Sequence, residues 1–260
     1  PAQLTKRPVD YFREKINSSA IIGQRSKQPI KIDIPIVNAA MSFGALSKNA
    51  KLALAKASAL AGTIANTGEG GMLPEERKLA KILIAQYSTA RFGVDDEYLK
   101  SADIIEIKIG QGAKAGQGGL LPAKKITPEI AEIRKIKMDQ DVHSPAAHPD
   151  IYSIEDLKSK VEWLRNLTGG KPIIIKLGAG HIEEDVELAV LANPDIIAID
   201  GLEGATGAAP EVMLNQIGLF TMSALVRARK TLDKLKAPQE LWIGGGLKGG
   251  ADVAKVLALG

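Results

Sequence analysis

The sequence predicts an α/β fold, a (β/α)8 TIM barrel that lacks its eighth strand within these 260 residues. Two observations predict it. Short apolar segments alternate with amphipathic ones along the chain, the pattern of a parallel sheet covered by helices. Glycine-rich and polar residues all fall just after the apolar segments, at the strand ends where barrel enzymes keep their sites. Seven such units are counted, and the sequence ends at Ala258-Leu259-Gly260, where an eighth strand should begin. The expectation is a fragment, or a barrel completed by a partner; a split or missed unit is the plainer alternative.

Residues 1–33 are polar and rich in Pro and Lys, and they read as a lead-in with one short helix at Tyr11 to Asn17. Residues 34–260 read as the barrel domain. The first strand is placed at Ile34 to Ala39, and Ser47 caps a helix whose face carries Leu52, Ala55 and Ala59 and which ends at Gly62. Thr63 to Asn66 is a short second strand. Pro74 starts a helix predicted to reach Ala85, and Gln86 to Lys100 is an excursion on the loop side. Asp103 to Ile109 is strand three, and Pro128 opens a helix to about Lys137. Strand four is a brief apolar element near Val142. Ser153 with Asp156 resembles a capping box for a helix bearing Leu157, Val161 and Leu164 and closed by Gly169. PIIIKLGAG is strand five, DVELAVLANP its helix, DIIAIDG strand six, Val212 to Leu235 the next helix, LWIGGG strand seven and GADVAKVLALG its helix.

At 27.6 kDa, with 45% hydrophobic and 25% charged residues, the chain suits one large soluble domain. A net charge of +4, spread among acidic residues, argues against a nucleic-acid partner. No apolar run approaches the roughly 20 residues of a membrane span, and PAQLTKRPVDYF has no signal-peptide core, so a cytoplasmic location is expected. The absence of cysteine excludes disulfides, thiolate nucleophiles and cysteine-bound iron–sulfur clusters within these residues.

The densest chemistry lies in ADIIEIKIGQGAKAGQGGLLP, residues 102–122. Gly110, Gly112, Gly116, Gly118 and Gly119 let backbone approach a ligand, while Lys108, Gln111, Lys114 and Gln117 supply charge and amide hydrogen bonds. The loop reads either as an anion site or as a solvated hairpin. Met41, Ser42, Phe43 and Gly44 follow strand one; Asn66, Thr67, Gly68, Glu69, Gly70 and Gly71 follow strand two. Lys176 ends strand five and needs a ligand or an acid such as Asp200 if buried. GLEGATGAAP, residues 201–210, and IGGGLKGG, residues 243–250, are further glycine loops. The second, leading into a helix start, suits phosphate. His143, His148 and His181 lack metal-ligand spacing, so no metal site is expected, and His143 and His148 read as loop-structuring. No GxSxG elbow supports hydrolysis, and no GxGxxG follows strand one.

The segments AMSFGALS, ANTGEGG, ARFGV, IEIKIGQGAKAGQGG, DIYSIEDL, IIIKL, GATGA and GGGLKGG, in this order from about residue 38 onward, resemble the FMN-binding synthase domain of glutamate synthase, the large subunit of archaeal-type or bacterial kind. The resemblance implies an FMN barrel in which reduced flavin passes a hydride to 2-iminoglutarate, formed from 2-oxoglutarate and ammonia, to give L-glutamate. It places the backbone of Met41 and Ser42, with Asn66, beside the flavin. Lys176 would lie near the flavin N1 and O2, Gly245 and Gly246 would meet its phosphate, and Gly204 and Thr206 of GATGA would join the cofactor site. Gln111, Lys114, Arg134 and Ser153 would surround the dicarboxylate, with Glu69 and Lys114 catalytic and Glu69 beside the reacting carbon.

Three positions depart from the family pattern. Leu120 stands where the family usually has Gln, Gly244 replaces an Asp, and the proline-rich SPPPHH region reads SPAAHP. The resemblance further implies a 3Fe-4S cluster whose cysteine ligands would lie beyond Gly260, a glutaminase domain or subunit, and an electron-donor subunit or ferredoxin. The alternatives are a related FMN barrel making N-methylglutamate or another imine-derived amino acid, or a non-catalytic barrel subunit.

Overall fold

The computed structural model describes residues 10, 12–112, 114, 117–207 and 209–260. Tyr11 and Gly116 therefore lie outside the described residues, and residues 12–17 hold only a turn where a helix was expected. The chain then forms a hairpin of β1 (Ala20–Ile22) and β2 (Ile30–Ile32), paired antiparallel. Lys27 N–H donates to Gly170 O and Gln24 N–H to a Glu240 carboxylate oxygen. Gly170 precedes β8 (Ile173–Gly178) and Glu240 opens β10 (Glu240–Gly244), so the hairpin closes the end of the barrel opposite the polar loops. Ile22 and Ile32 pack there against Ile64, Ile84, Ile104, Ile174 and Ile196.

Ile34 to Ala39 does not form the strand expected of it. Pro35 has no N–H to donate, and only Asp33 and Asn38 bond the neighbouring backbone, at Gly62 O and Ile64 O. Helix α1 (Lys48–Leu60) begins as predicted, with Ser47 Oγ accepting Ala50 N–H at 3.3 Å. After β3 (Ile64–Asn66) comes the largest departure. Helix α2 (Pro74–Leu79) stops six residues early, and β4 (Ile82–Tyr87) occupies what was read as helix end and excursion. All six β4 residues are buried. A run apolar on both faces carries no period that separates strand from helix, and it is the sheet slot beside β3 that decides.

Helix α3 (Asp96–Ser101) is capped by Asp95, and β5 (Ile104–Lys108) lies within the third predicted strand. The element near Val142 is not a barrel strand. It pairs as β7 (Val142–His143) with β6 (Leu120–Leu121) in a two-stranded antiparallel ribbon, with α4 (Pro128–Arg134) between them. Helix α5 (Ile154–Leu167) has the full capping box of Ser153 and Asp156. Next come β8 (Ile173–Gly178), α6 (Ile182–Leu191) and β9 (Ile196–Asp200). The long helix predicted to Leu235 is two, α7 (Glu211–Gln216) and α8 (Thr221–Leu235), broken around Gly218, whose φ of 106° resists helix. β10 (Glu240–Gly244) and α9 (Gly250–Leu259) end the chain.

The sheet runs β10-β9-β8-β5-β4-β3 with every pair parallel, and it curls as an incomplete (β/α)8 barrel. Alternation divides its faces. Ala85, Ile105, Ile107, Ile173, Ile175, Ile197 and Ile199 point outward to α5, α6 and α8, forming the main core with Val161, Leu164, Val186 and Leu232. Ile84, Ile104, Ile174 and Ile196 point inward. A cavity of about 380 Å³ lies between the β10 side and residues 35–40, with Asn66, Glu106 and Lys176 in its wall. No helix among the described residues is long and apolar enough to cross a membrane.

Ile175 sits at the centre of the outward core and is fully buried. Ile175→Ala is expected to cost about 3 kcal/mol of unfolding free energy, read from a denaturant midpoint that moves with an unchanged slope; a loss below about 1 kcal/mol would refute this placement of the core.

Candidate functional site

The inward face changes character toward the C-terminal strand ends. Below lie isoleucines; above them lie Asn66 of β3, Gln86 of β4, Glu106 of β5, Lys176 of β8 and Asp200 of β9. Lys176 is 6% exposed and its Nζ stands 2.9 Å from Asp200 Oδ2. Burial acts to lower its pKa, but Asp200 and Glu106 outweigh burial and hold it above the ordinary lysine value. The expected partner of Lys176 is thus found. Glu106, 4% exposed, accepts Gln86 Nε2–H at 2.6 Å and Asn66 Nδ2–H at 3.3 Å on the same oxygen.

Gln86 and Glu106 were missed in the sequence. Reading ILIA as a helix end and Gln86 as the start of an excursion hid the inward register of Gln86. Glu106 was visible as a lone acid at an inward position of IIEIK, and a strict period-two reading of that strand exposes it.

A second cluster lies where the loop after β3 meets the loop after β5. Glu69 Oε2 pairs with Lys108 Nζ at 3.1 Å. Burial pushes the Glu69 pKa up, but Lys108, the Ser144 hydroxyl and Lys114 together hold it below the usual carboxylate value. Glu69 Oε1 is buried with no hydrogen-bond partner. Lys114 is 5% exposed, and among the described residues no carboxylate forms a salt bridge with it. Burial and then Lys108 lower its pKa, against the pull of Glu69. Gln111, Gln117 and Ser144 join these residues around a small cavity of about 10 Å³.

Arg134, at the end of α4, is buried over the glycines of the β3 loop. A Cβ on Gly70 would stand 2.7 Å from its guanidinium carbon, and Gly70 has a φ of 126°. Its Nε and Nη2 donate to Phe43 O at 3.0 and 2.8 Å, and Nη2 also reaches Ser42 Oγ at 3.1 Å. Burial lowers its pKa, with Glu69 acting the other way. Three cations, Lys108, Lys114 and Arg134, thus surround one carboxylate, and the site favours an added anion.

Of the residues expected around a substrate, Glu69, Gln111 and Lys114 meet in this cavity, and Arg134 adjoins it through Gly70 and Ser42. Ser153 does not. It is exposed, and its hydroxyl is committed to accepting Asp156 N–H as the α5 cap, at 3.1 Å. Leu120 is exposed in β6 and outside the cavity lining.

The residues expected at a cofactor divide between two places. Met41, Ser42 and Asn66 come together because Gly68, at φ 65°, lies against Met41 and Ser42, where a Cβ would stand 2.6 Å from Met41 C and from Ser42 N. Gly204 and Gly245 touch backbone to backbone, and a Cβ on Gly245 would meet Thr221 Oγ1 at 2.7 Å and Gly204 N at 3.0 Å. Gly245 and Gly246 have φ of 113° and 67°. Beyond them Gly249 and Gly250 open α9 onto free space with no side-chain cap, a start that suits an anion. Thr206 is half-buried in the β9 loop. A large cavity with a buried lysine in its wall, beside a glycine cradle at a helix start, fits a phosphorylated planar group. Among the described residues no group of three acidic or histidine side chains could hold a metal.

Behind Lys108 stands His148, 3% exposed. Its Nδ1 lies 2.6 Å from Arg91 Nη1, which can only donate, so Nδ1 accepts and Nε2 donates to Lys108 O at 2.8 Å. The ring stacks on Tyr87, Arg91 lies over the Tyr87 face, and Asp150 pairs with Arg91 and Lys160. Burial, then Arg91, push the His148 pKa down to about 4. The histidine structures a loop, as the sequence suggests, by fixing the carbonyl of the residue that faces Glu69.

Because the folded pKa lies below the unfolded one, the unfolded chain takes the proton first as pH falls. Stability contributed by neutral His148 is whole above pH 6.5 and declines toward pH 4, by about 3 kcal/mol in all. His148→Gln should flatten that part of a stability–pH profile measured by denaturant unfolding. An unchanged slope between pH 6.5 and 4 would refute it.

Comparison with known proteins identifies the family and the fold. Residues 3–260 match the family model described as a conserved region in glutamate synthase. The chain is 44% identical over 283 residues to an archaeal glutamate synthase (NADPH) of Archaeoglobus fulgidus, covering all of this chain and 55% of that protein. It is 40% identical over 263 residues to a glutamate synthase large subunit-like protein of Rhizobium meliloti, covering all of this chain and 60% of that one. The chain thus spans little more than half the length of these relatives. Among solved structures, a flavocytochrome b2 mutant with benzoylformate superposes with a TM-score of 0.61 at 18% identity, over 98% of this chain and 60% of that one. A mandelate oxidase mutant with an FMN adduct gives 0.56 at 16% identity, over 94% and 67%. The fold is that of these barrels, and the chain belongs to the glutamate synthase family.

Proposed function

We propose that this chain is the FMN-binding barrel of a glutamate synthase, in which 2-oxoglutarate and ammonia are joined and reduced to L-glutamate. The observation that carries the reading is the buried Lys114, with no carboxylate partner among the described residues, facing Glu69 and Lys108. A dicarboxylate supplies the negative charge this cluster lacks. Bound FMN would supply the hydride for the imine carbon. Met41, Ser42, Asn66 and Lys176 would hold its ring, and Gly204, Thr206, Gly245 and Gly246 its phosphate.

The chain's own residues then divide the work. Lys114 and Gln111 bind carboxylate oxygens, and Lys108 keeps Glu69 ionised. As a carboxylate at neutral pH, Glu69 accepts a proton from the attacking nitrogen and can return it to the departing hydroxyl as the imine forms. Arg134 supports this from behind, positioning the Ser42–Phe43 backbone. Ser153, spent on its helix, has no part. Electrons, ammonia from a glutaminase domain or subunit, and any 3Fe-4S cluster come from outside these 260 residues, with a donor subunit or ferredoxin as source; the name of the Archaeoglobus relative favours NADPH upstream. The cytoplasmic location expected from the sequence belongs to the same proposal.

An N-methylglutamate-forming relative is the second reading. Leu120 prompted it, and the exposure of Leu120 outside the cavity weakens it. A non-catalytic barrel has against it the assembled Glu69, Lys108 and Lys114.

The test uses the extended native protein. It should purify with a flavin spectrum and form glutamate from 2-oxoglutarate and ammonia in preference to methylamine. Lys114→Ala should raise KM for 2-oxoglutarate about ten-fold or more with flavin still bound. Neither flavin nor glutamate would sink the reading, and an unchanged KM would remove Lys114 from the substrate site.

A further inference from the structure

Lys51 projects from α1 into the join between two loops and is 2% exposed. Its Nζ lies 2.8 Å from Met41 O, 2.9 Å from Asn66 O, 2.9 Å from Thr67 O and 2.8 Å from Glu76 Oε1. Four acceptors converge on one nitrogen, which a neutral amine with two N–H groups cannot serve. An ammonium serves them with its three donors, one N–H being shared between two acceptors. Glu76, on α2, is equally buried, and its Oε2 has no partner. Burial draws Lys51 down and Glu76 up, each in part restored by the other.

The three carbonyls belong to the segments where the flavin-facing residues lie. In a planar trans peptide the carbonyl and the next N–H point in opposite directions, so anchoring Met41 O on Lys51 turns Ser42 N–H away from α1. Anchoring Asn66 O and Thr67 O fixes the backbone from which the Asn66 side chain reaches both Gly68 N–H, at 2.8 Å, and Glu106. Gly68 permits the two loops to touch, and Lys51 decides how they are oriented when they do.

We propose that Lys51, balanced by Glu76, is a positioning pair that sets the 41–42 and 66–68 loops for the cofactor. It rests on the FMN reading above. The pair governs flavin affinity through the carbonyls and not only stability through the buried charge.

The two roles separate because a buried ion pair can be exchanged for apolar residues with little loss of stability, whereas removing one partner strands a charge. In the extended native protein, Lys51→Met alone is expected to lower the melting temperature. The double variant Lys51→Met with Glu76→Leu should recover it while FMN affinity, followed by flavin fluorescence, is weakened about ten-fold and the bound-flavin absorption bands are shifted from those of the native protein. Native affinity and native bands in the folded double variant would overturn the proposal.

If the apolar pair fails to fold, Lys51→Gln with Glu76→Gln replaces it, offering two N–H groups for three carbonyls. An affinity loss of about three-fold is then expected, and native affinity again overturns the assignment. A native protein that binds no flavin overturns the FMN reading and this proposal together; native binding that the double variants leave intact overturns this one alone.

Discussion

The structure depends on how a charged layer is kept inside a barrel. Lys176, Glu106 and Asp200 occupy inward positions on three neighbouring strands above a floor of isoleucine. None could be buried alone, since stripping one member of such a set leaves an uncompensated charge worth roughly 3–5 kcal/mol. Together they fix register. A slip of one residue in β8 would turn Lys176 outward into the apolar core of α5 and α6 and leave Glu106 facing Asp200. The polar layer therefore positions the strand ends as much as it furnishes a ligand site.

The two charged clusters have opposite balances. The inner layer sets two carboxylates against Lys176, while the outer cluster sets Lys108, Lys114 and Arg134 against Glu69. Lys108 and Lys176 are register partners on adjacent strands, so the boundary between the two runs along one strand pair. The outer side favours an added anion, and the inner side suits a group that offers hydrogen-bond donors or needs a cation at one edge.

Sequence reading found what local chemistry dictates. Ser47 and Ser153 were legible as caps because their spacing to the helix is short-range, and β8 and β9 because each holds four apolar residues in a short run flanked by Pro and Gly. What failed was decided by neighbours distant in sequence. ILIAQY became a strand because a slot lay open between β3 and β5, and Val142 pairs with Leu121 in a ribbon outside the barrel sheet, with α4 between them along the chain. The expected seven strands become six in the sheet, because Ile34 to Ala39 and the element near Val142 are not barrel strands while β4 was missed. Glu69, Lys114 and Arg134 were legible through family resemblance, whereas Gln86 and Lys51 carry meaning only once the chain has folded.

Lys51 also shows how this fold uses its excess of basic residues. Lys51 holds the carbonyls of Met41, Asn66 and Thr67, Arg134 holds Phe43 O, and Lys171 holds Lys100 O and Ala102 O. In each case a cation clasps backbone oxygens of a loop or of the end of a helix or strand. Loops rich in glycine have little side-chain packing to hold them, and ordering each residue costs about 1–2 kcal/mol of backbone entropy. A charge-assisted bond to a carbonyl offsets that cost without adding bulk near the ligand. Glycine brings these loops close, and the buried cations keep them there, so that the precision of the site rests on residues that need not touch what it binds.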